Sequence, residues 1–591
     1  MPRRRLFAVS LRESCNLGYA LLLLSKHIDT DRSMPESKAI PKMIGLEQEY
    51  GCYLIGSQQN RTAGSNFFKQ FRPEWLSVLS ASGSLWDPQE RMRYEDGNHR
   101  FFSDVRWRES NYLFPNGARF YLDSEHPEYC IPICRTAREA LAHDKAGEIF
   151  MDEISQRIEA ESGLRFRLIK NNTAAGDRNF VDFDSEWMGG VSFSTHENYL
   201  VRRDVLIDDL IARTIPFLIF RTPIIGAGKV GGQSYLPWVD YQISQRADFF
   251  KKTTAQGTMG NFRAIYNLRD CPYADPERFR RLHVIPGDAN MCEVSGFLKL
   301  VTMRILLMMI EDGALDDRFT PFRDCPTLHA VSRDLTLSER YLLKNVKKSV
   351  RVLDILKQYA ELFLKYLEDY AIRDPELQYG AELFSCIVDR LDAAPEECIG
   401  AVDWVTKRHI IREHLGAKGI DSWQRPEAYQ LDAAYHYVRK DKSIFYRPSI
   451  QQKIKDAGYK LLSDAEVHEA TIRPPATRSR FQVEVYKRLH VAQWNWRLMH
   501  VRDTAGRSHV LALDDPAKPW KEFEQLLADD PDEFLAKCKQ AGMMLSGAEE
   551  ARRAYLNSQV ILGDELRLRR RMGRPLTPLS GDDTDDEDGT S

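Results

Sequence analysis

The sequence predicts an α+β fold built on a largely antiparallel sheet, followed by a smaller C-terminal unit. Three observations carry this. Strand-like alternation recurs at 43–57, 117–123, 164–170, 190–201 and 279–286. Helical periodicity covers 135–161, 290–312, 338–370 and 381–417. The two kinds of segment are mixed with hairpin-like spacing, not repeated as strict strand–helix–strand units. At 591 residues the chain is too long for one core, and about two to four structural units are expected.

Taken in order, residues 1–42 differ from the rest. Arg3, Arg4 and Arg5 precede a short apolar run, Leu17 to Leu24, with no clean small-residue cleavage site after it. The segment is expected to be a disordered extension or the product of an upstream start, because Met43 opens the first patterned strand. A catalytic domain is expected over 43–472. Within it, 58–110 is polar, aromatic-rich and aperiodic, a long insertion of the kind that is functional or disordered. Phe297 to Ile310 is the longest apolar stretch, but Lys299 and Arg304 interrupt it. It is too short and too charged for a bilayer and is expected to be a buried helix. The run 472–480, IRPPATRSR, is expected to link to a small domain over 473–560, and the tail 561–591 to be acidic and disordered.

Composition narrows function. Lys and Arg number 83 against 86 Asp and Glu, a net charge of −3, without the basic excess of a general nucleic-acid binder. Ten cysteines form no CxxC pair and no zinc spacing; Cys130 and Cys134 are the closest two. Reduced thiols in a cytoplasmic protein are expected. GAGKVG at 226–231 matches GxGxxG, but Pro237 and the absence of a helical period after it exclude a dinucleotide site.

Four segments concentrate chemistry. Glu47 and Glu49 lie at strand spacing on one face, with Leu46 and Gln48 on the other. Paired carboxylates of this kind suit a hard cation such as Mg²⁺; a solvated edge strand is the alternative. In 116–129, Tyr121 and Asp123 share a face, Arg119 precedes them, and His126 and Glu128 follow in a tight turn. A sheet bringing 45–51 beside 117–123 would gather these acids into a metal and nucleotide site; a hairpin whose charges face water is the alternative. His196 and Asn198 share a face in 194–201, after the Asn171–Asn172 pair. Arg281 and His283 do the same in 280–291, where an arginine can clamp phosphate or merely pair at the surface.

These segments together closely resemble one family, the Pup ligases and the deamidase/depupylase enzymes of the prokaryotic ubiquitin-like protein Pup. The resemblance rests on GLEQEYG (45–51), NGARFYLDSEHPEY (116–129), HDKAGE (143–148), KNNT (170–173), STHENYL (194–200), SQRADFF (244–250), RDCPYAD (269–275) and RRLHVIPGDANM (280–291), and spans roughly 43–500. It implies a glutamine synthetase-like curved antiparallel sheet with helices on one side, plus a small C-terminal domain. It implies ATP and Mg²⁺ as cofactors. Glu47, Tyr121, Glu128, His196 and His283 would be the metal ligands. Gly45, Leu46, Glu47, Gln48, Glu49, Arg119, Asn198, Arg281 and Trp494 would contact ATP, with Trp496 a rival to Trp494. Asp123 would be the catalytic carboxylate. The implied partners are Pup or a Pup-like modifier and its protein conjugates, with no nucleic acid and no membrane.

Two features resemble the deamidase branch. The insertion sits where deamidases carry a long loop, and Asp123 and His126 are separated by two residues where ligases have three. The expected activity is therefore deamidation of Pup's C-terminal Gln and cleavage of Pup–lysine isopeptide bonds. The alternative is a Pup–protein ligase working through a γ-glutamyl phosphate. A non-catalytic Pup-binding protein is a third reading, disfavoured because every ligand is retained. Cys271-Pro272-Tyr273, Leu268, Cys130, Ile131 and Ile133 depart from the family pattern; they bear on nucleotide contact and Pup recognition and leave the ligand set intact.

Overall fold

The computed structural model describes residues 35–57, 62–77, 111–173, 192–233, 236–257, 263–270, 272–343, 348–494 and 496–545. Most of the expected extension, residues 58–61 and 78–110 of the expected insertion, Cys271, and the expected acidic tail lie outside these residues.

Eight strands form the main sheet: β1 (Ile44–Glu49), β2 (Asn111–Leu113), β3 (Arg119–Asp123), β4 (His126–Cys130), β5 (Thr195–Arg202), β6 (Lys252–Ala255), β7 (Ala264–Asn267) and β8 (Phe279–Val284). Their order is β6-β7-β8-β5-β1-β4-β3-β2. All neighbours are antiparallel except β6 and β7, which run parallel with Lys252 opposite Ala264. The sheet is thus mixed and open, flanked by helices. This corrects the expectation of a curved antiparallel sheet. Alternation along a strand reports which face a side chain takes and carries no record of a neighbour's direction. The sequence reading also assigned no strand to 252–255 or 264–267, and β6, Lys-Thr-Thr-Ala, has no buried residue to mark it.

Other differences have local causes. The expected strand 43–57 breaks at Tyr50, and Gly51–Leu54 pairs separately with Phe166–Ile169. Arg340–Leu343 and Lys348–Arg351, expected to be helical, pair as antiparallel strands, with the Tyr341 ring 5.4 Å from Phe220, ahead of a helix over Val352–Asp369. The insertion begins with a helix, α1 (Ala63–Gln70), which buries Phe67 and Phe68 and sets Phe68 4.6 Å from Phe120 of β3.

Helix α2 (Ala137–Ser162) starts in a capping box between Thr136 and Glu139 and stops at Gly163 in the left-handed region. Both signals are readable in the sequence. Gly147 lets the helix lie on Tyr129: a Cβ there would sit 2.6 Å from the ring. The same stretch buries Asp144 and Glu148, which both accept from Lys170 at 2.6 Å. His143 beside them is pushed down to about 3 by burial. It stays neutral in the folded chain, while the unfolded chain protonates near pH 6.5. Its stability contribution is therefore present above pH 6.5 and lost as pH falls toward 3. Unfolding free energy is expected to drop by about 1.4 kcal/mol per pH unit from this group, and His143→Gln should flatten that slope in urea titrations from pH 6.5 to 4.5.

Helix α3 (Ile207–Phe220) and helix α4 (Glu293–Glu311) complete the packing around the sheet. α4 holds the apolar stretch 297–310 and is buried, with Lys299 donating to Asp288 O at 2.9 Å. No helix among the described residues is long and apolar enough to cross a membrane. At its end Glu311 pairs with Lys42, both side chains fully buried, and accepts from Ile40 N and Arg202 N. Residues 37–42 are thereby strapped to the helix. Glu311→Ala leaves Lys42 buried and unpaired and is expected to cost about 3–5 kcal/mol, read by urea unfolding.

The C-terminal segment has its own apolar cluster. Phe481 from the helix Arg478–Arg488, Met499 and Leu511 from a three-stranded sheet, and Phe534 pack with Trp494 and with Leu113 of β2. The expected linker 472–480 is tied to both parts: Arg478 donates to Tyr273 O near the sheet and to Leu513 O of the C-terminal segment, each at 2.7 Å, and Ser479 Oγ accepts from Ile133 N.

Candidate active site

The strand register builds one polar face. β1 sits between β5 and β4, so Glu47 lies opposite His196 on one side and Cys130 on the other. Glu49 lies opposite Glu128, and Glu128 opposite Tyr121 of β3. Gly45 faces Asn198, which faces His283 of β8. Directly paired residues share a face, so Glu47, Glu49, Arg119, Tyr121, Asp123, Glu128, His196, Asn198, Arg281 and His283 converge from five strands. Leu46 and Gln48 take the opposite face. Leu46 joins the core, and the buried Gln48 amide donates to Lys170 O at 2.8 Å and Ser194 O at 3.2 Å.

Two ligand clusters result. Glu47, His196 and His283 offer atoms within 4.8 Å of one another, as do Glu49, Asp123 and Glu128. His196 joins them: its Nδ1 is 3.2 Å from Glu47 and its Nε2 3.8 Å from Glu49. Asn198 donates to Glu47 at 3.0 Å and accepts from Arg281 at 3.1 Å. The Arg119 guanidinium lies 4.0 Å above the Tyr121 ring.

Burial sets the electrostatics. It raises Glu128 well above the usual carboxylate range, reinforced by Asp123, Glu49 and Glu47. It raises Glu49 too, against the pull of His196. Burial acts the same way on Glu47, but the adjacent His196 and His283 rings overcome it and hold that carboxyl well below the range. Burial pushes His283 down to about 3, so its ring is neutral. Among the described residues neither ring nitrogen of the buried His283 has a hydrogen-bond partner, its Nε2 lying 3.6 Å from Glu47. A neutral His283 imidazole, an ionised Glu47 and clustered buried carboxylates make a donor set suited to a divalent cation. The residues fit Mg²⁺.

Trp494 is placed differently from the strand residues. It is buried in the C-terminal cluster, edge-on to Tyr486 and Trp496, and approaches the sheet through Leu113 near Arg119. Trp496 is half-buried. Sequence reasoning missed Ser65, which meets the Asp123 turn from α1. The spacing of Phe67, Phe68 and Phe71 was the available signal that this part of the insertion packs.

Residues 42–500 match the Pup-ligase protein family. The chain belongs to that family. It is 32% identical over 458 residues to a depupylase of Acidothermus cellulolyticus, covering 75% of this chain and 86% of the relative. It is 33% identical over 463 residues to a Pup–protein ligase of Corynebacterium diphtheriae, covering 75% and 85%. Among solved structures, a complex between Pup and its ligase superposes with a TM-score of 0.64 at 25% identity, covering 87% of this chain and 97% of that one. A Pup ligase in complex with ADP gives 0.59 at 26% identity, covering 77% and 94%. Both branches of the family therefore stand at similar distance in sequence, and both of these solved structures are ligases.

Proposed function

We propose that this protein is an ATP-dependent enzyme of Pup modification, acting at the side-chain carbonyl of the C-terminal residue of Pup or a Pup-like modifier. The observation that carries the reading is the convergence of two carboxylate-rich clusters from five strands on one face of the sheet. Family membership, and relatives whose solved forms hold Pup and ADP, support it.

Glu47, His196 and His283 would hold one divalent cation, and Glu49 and Glu128, with Tyr121 beside them, would hold a second. Bound there, cations neutralise phosphate charge and polarise oxygen. Arg281, steered by Asn198, and Arg119, stacked on Tyr121, supply fixed positive charge for a nucleotide. Gly45 leaves room above Asn198. Trp494 or Trp496 would close the nucleotide end. Asp123, at the end of β3 and within the Glu49–Glu128 cluster, is assigned the proton transfer or the attack.

Two directions share this site. Ligation is the one the comparisons favour, because both solved relatives named above and the family itself carry that name. Here Asp123 takes a proton from the incoming lysine amine. Deamidation and depupylation are favoured by one feature, the two-residue connection between Asp123 and His126. Here Asp123 attacks the amide carbonyl or activates water.

The test supplies ATP and Mg²⁺ with Pup ending in Gln, and separately with Pup ending in Glu plus a lysine-bearing acceptor, followed by intact mass spectrometry. Gln-to-Glu conversion without matching ADP release supports hydrolysis. Conjugate formed in step with ADP supports ligation. Absence of both products would overturn the assignment to Pup.

A further inference from the structure

The turn that presents Asp123 is built from the wrong residues for its shape. Asp123 pairs with His126 across a two-residue connection, Ser124–Glu125. Both connecting residues have positive φ, 46° and 66°. Such a turn matches the twist of a hairpin but requires the left-handed region twice, and Asn-Gly is its preferred sequence. Serine and glutamate are strained there, so something outside the turn must hold it.

The holding contact comes from α1. The Glu125 carboxylate accepts the backbone N–H of Ser65 at 2.8 Å and also the Ser65 hydroxyl. Ser65 lies in the first turn of α1, whose N-cap residue Thr62 makes no side-chain cap. Glu125 therefore stands in for the missing capping group, on the end of the helix that favours negative charge. The approach is close: a Cβ at Gly64 would lie 2.2 Å from Glu125 O. The far side of the turn is anchored as well. His126 donates from Nδ1 to Ser124 O at 2.8 Å and accepts at Nε2 from Asn172 at 2.9 Å, which in turn accepts from Tyr53 at 2.6 Å. Phe193 stacks on the His126 ring at 3.7 Å.

We propose that Glu125 is a positioning residue for Asp123: its tie to Ser65 locks the Ser124–Glu125 turn and so fixes where the Asp123 carboxylate stands beside Glu49 and Glu128. The proposal rests on the reading above, in which Asp123 performs the chemistry. It assigns a role in turnover to a helix of the insertion that does not itself enter the site.

The experiment compares Glu125→Ala, Ser65→Ala, Glu125→Gly and the Ser65→Ala/Glu125→Gly pair. Glu125→Ala removes the tie and keeps the strain, Ser65→Ala removes only the hydroxyl half of the tie and leaves the backbone N–H, and glycine at 125 removes the tie and the strain together. Glu125→Ala is expected to lower kcat about ten- to a hundredfold, the cost of misplacing a reacting group by about an ångström, and Ser65→Ala by a smaller factor because its backbone N–H still reaches Glu125. KM for ATP should not move. Glu125→Gly should recover most of kcat, and Ser65→Ala should add nothing in its background. Hydrogen exchange of the 124–126 amides, measured without substrate, should speed up in both alanine variants and much less in Glu125→Gly. Unchanged kcat and exchange in Glu125→Ala would overturn the proposal. So would a Glu125→Gly variant as slow as Glu125→Ala with a protected turn, since the carboxylate would then act in the site itself. A wild-type protein inactive toward Pup would sink the functional reading instead, and the exchange comparison alone would then decide whether the tie holds the turn.

Discussion

Asp123→Asn is expected to lower turnover on Pup by at least about 10²–10⁴-fold while ATP binding changes little. Asparagine keeps the shape of the side chain at the end of β3 and the pairing with His126. It removes the only properties the reaction needs there, a negative charge and a proton acceptor. Asp123 belongs to the Glu49–Glu128 cluster, yet the histidine-bearing cluster of Glu47, His196 and His283 does not include it. The variant should therefore separate chemistry from nucleotide binding, measured by single-turnover kinetics and by titration with a fluorescent ATP analogue. Retained turnover would remove Asp123 from the catalytic role.

The second large effect concerns the cations. Buried carboxylates that raise one another's pKa destabilise the metal-free protein, and a cation that binds only the folded chain relieves this. Mg²⁺ at a hundred times its Kd is expected to stabilise by about 2.7 kcal/mol. For a chain of this size that is a Tm increase of about 2 °C, reversed by a chelator. In Glu47→Gln/Glu128→Gln each cluster loses one charged ligand, and the increase should vanish although each Gln fills the space of the Glu it replaces. Scanning calorimetry with and without Mg²⁺ reads the difference directly. An equal shift in wild type and double variant would show that the cation binds elsewhere.

The legible part of the site was the part written at short range. Glu47 and Glu49, Tyr121 and Asp123, His196 and Asn198, and Arg281 and His283 each lie two residues apart in strands, and period-two geometry alone puts each pair on one face. α2 was legible from its helical period over 135–161. α4 was legible because Lys299 and Arg304 break an otherwise apolar run. The strand pair 340–343 and 348–351 was not, since its charged and apolar residues fit either period until Tyr341 finds Phe220. Nor was α1, whose few apolar residues lie in a segment with no cap.

What the sequence determined by itself was an α+β chain with these paired donors, their faces, and a specific resemblance to one family. The tertiary structure alone decided that β1 lies between β4 and β5, which sets Glu49 against Glu128 and Glu47 against His196. It alone decided that β6 and β7 run parallel, and that Ser65 reaches Glu125 across sixty residues of chain. Facing follows from the backbone repeat of a single strand. Neighbours, their direction and the ties between distant turns follow from which buried surfaces and hydrogen-bonding groups must be satisfied together, and no window of sequence contains both partners.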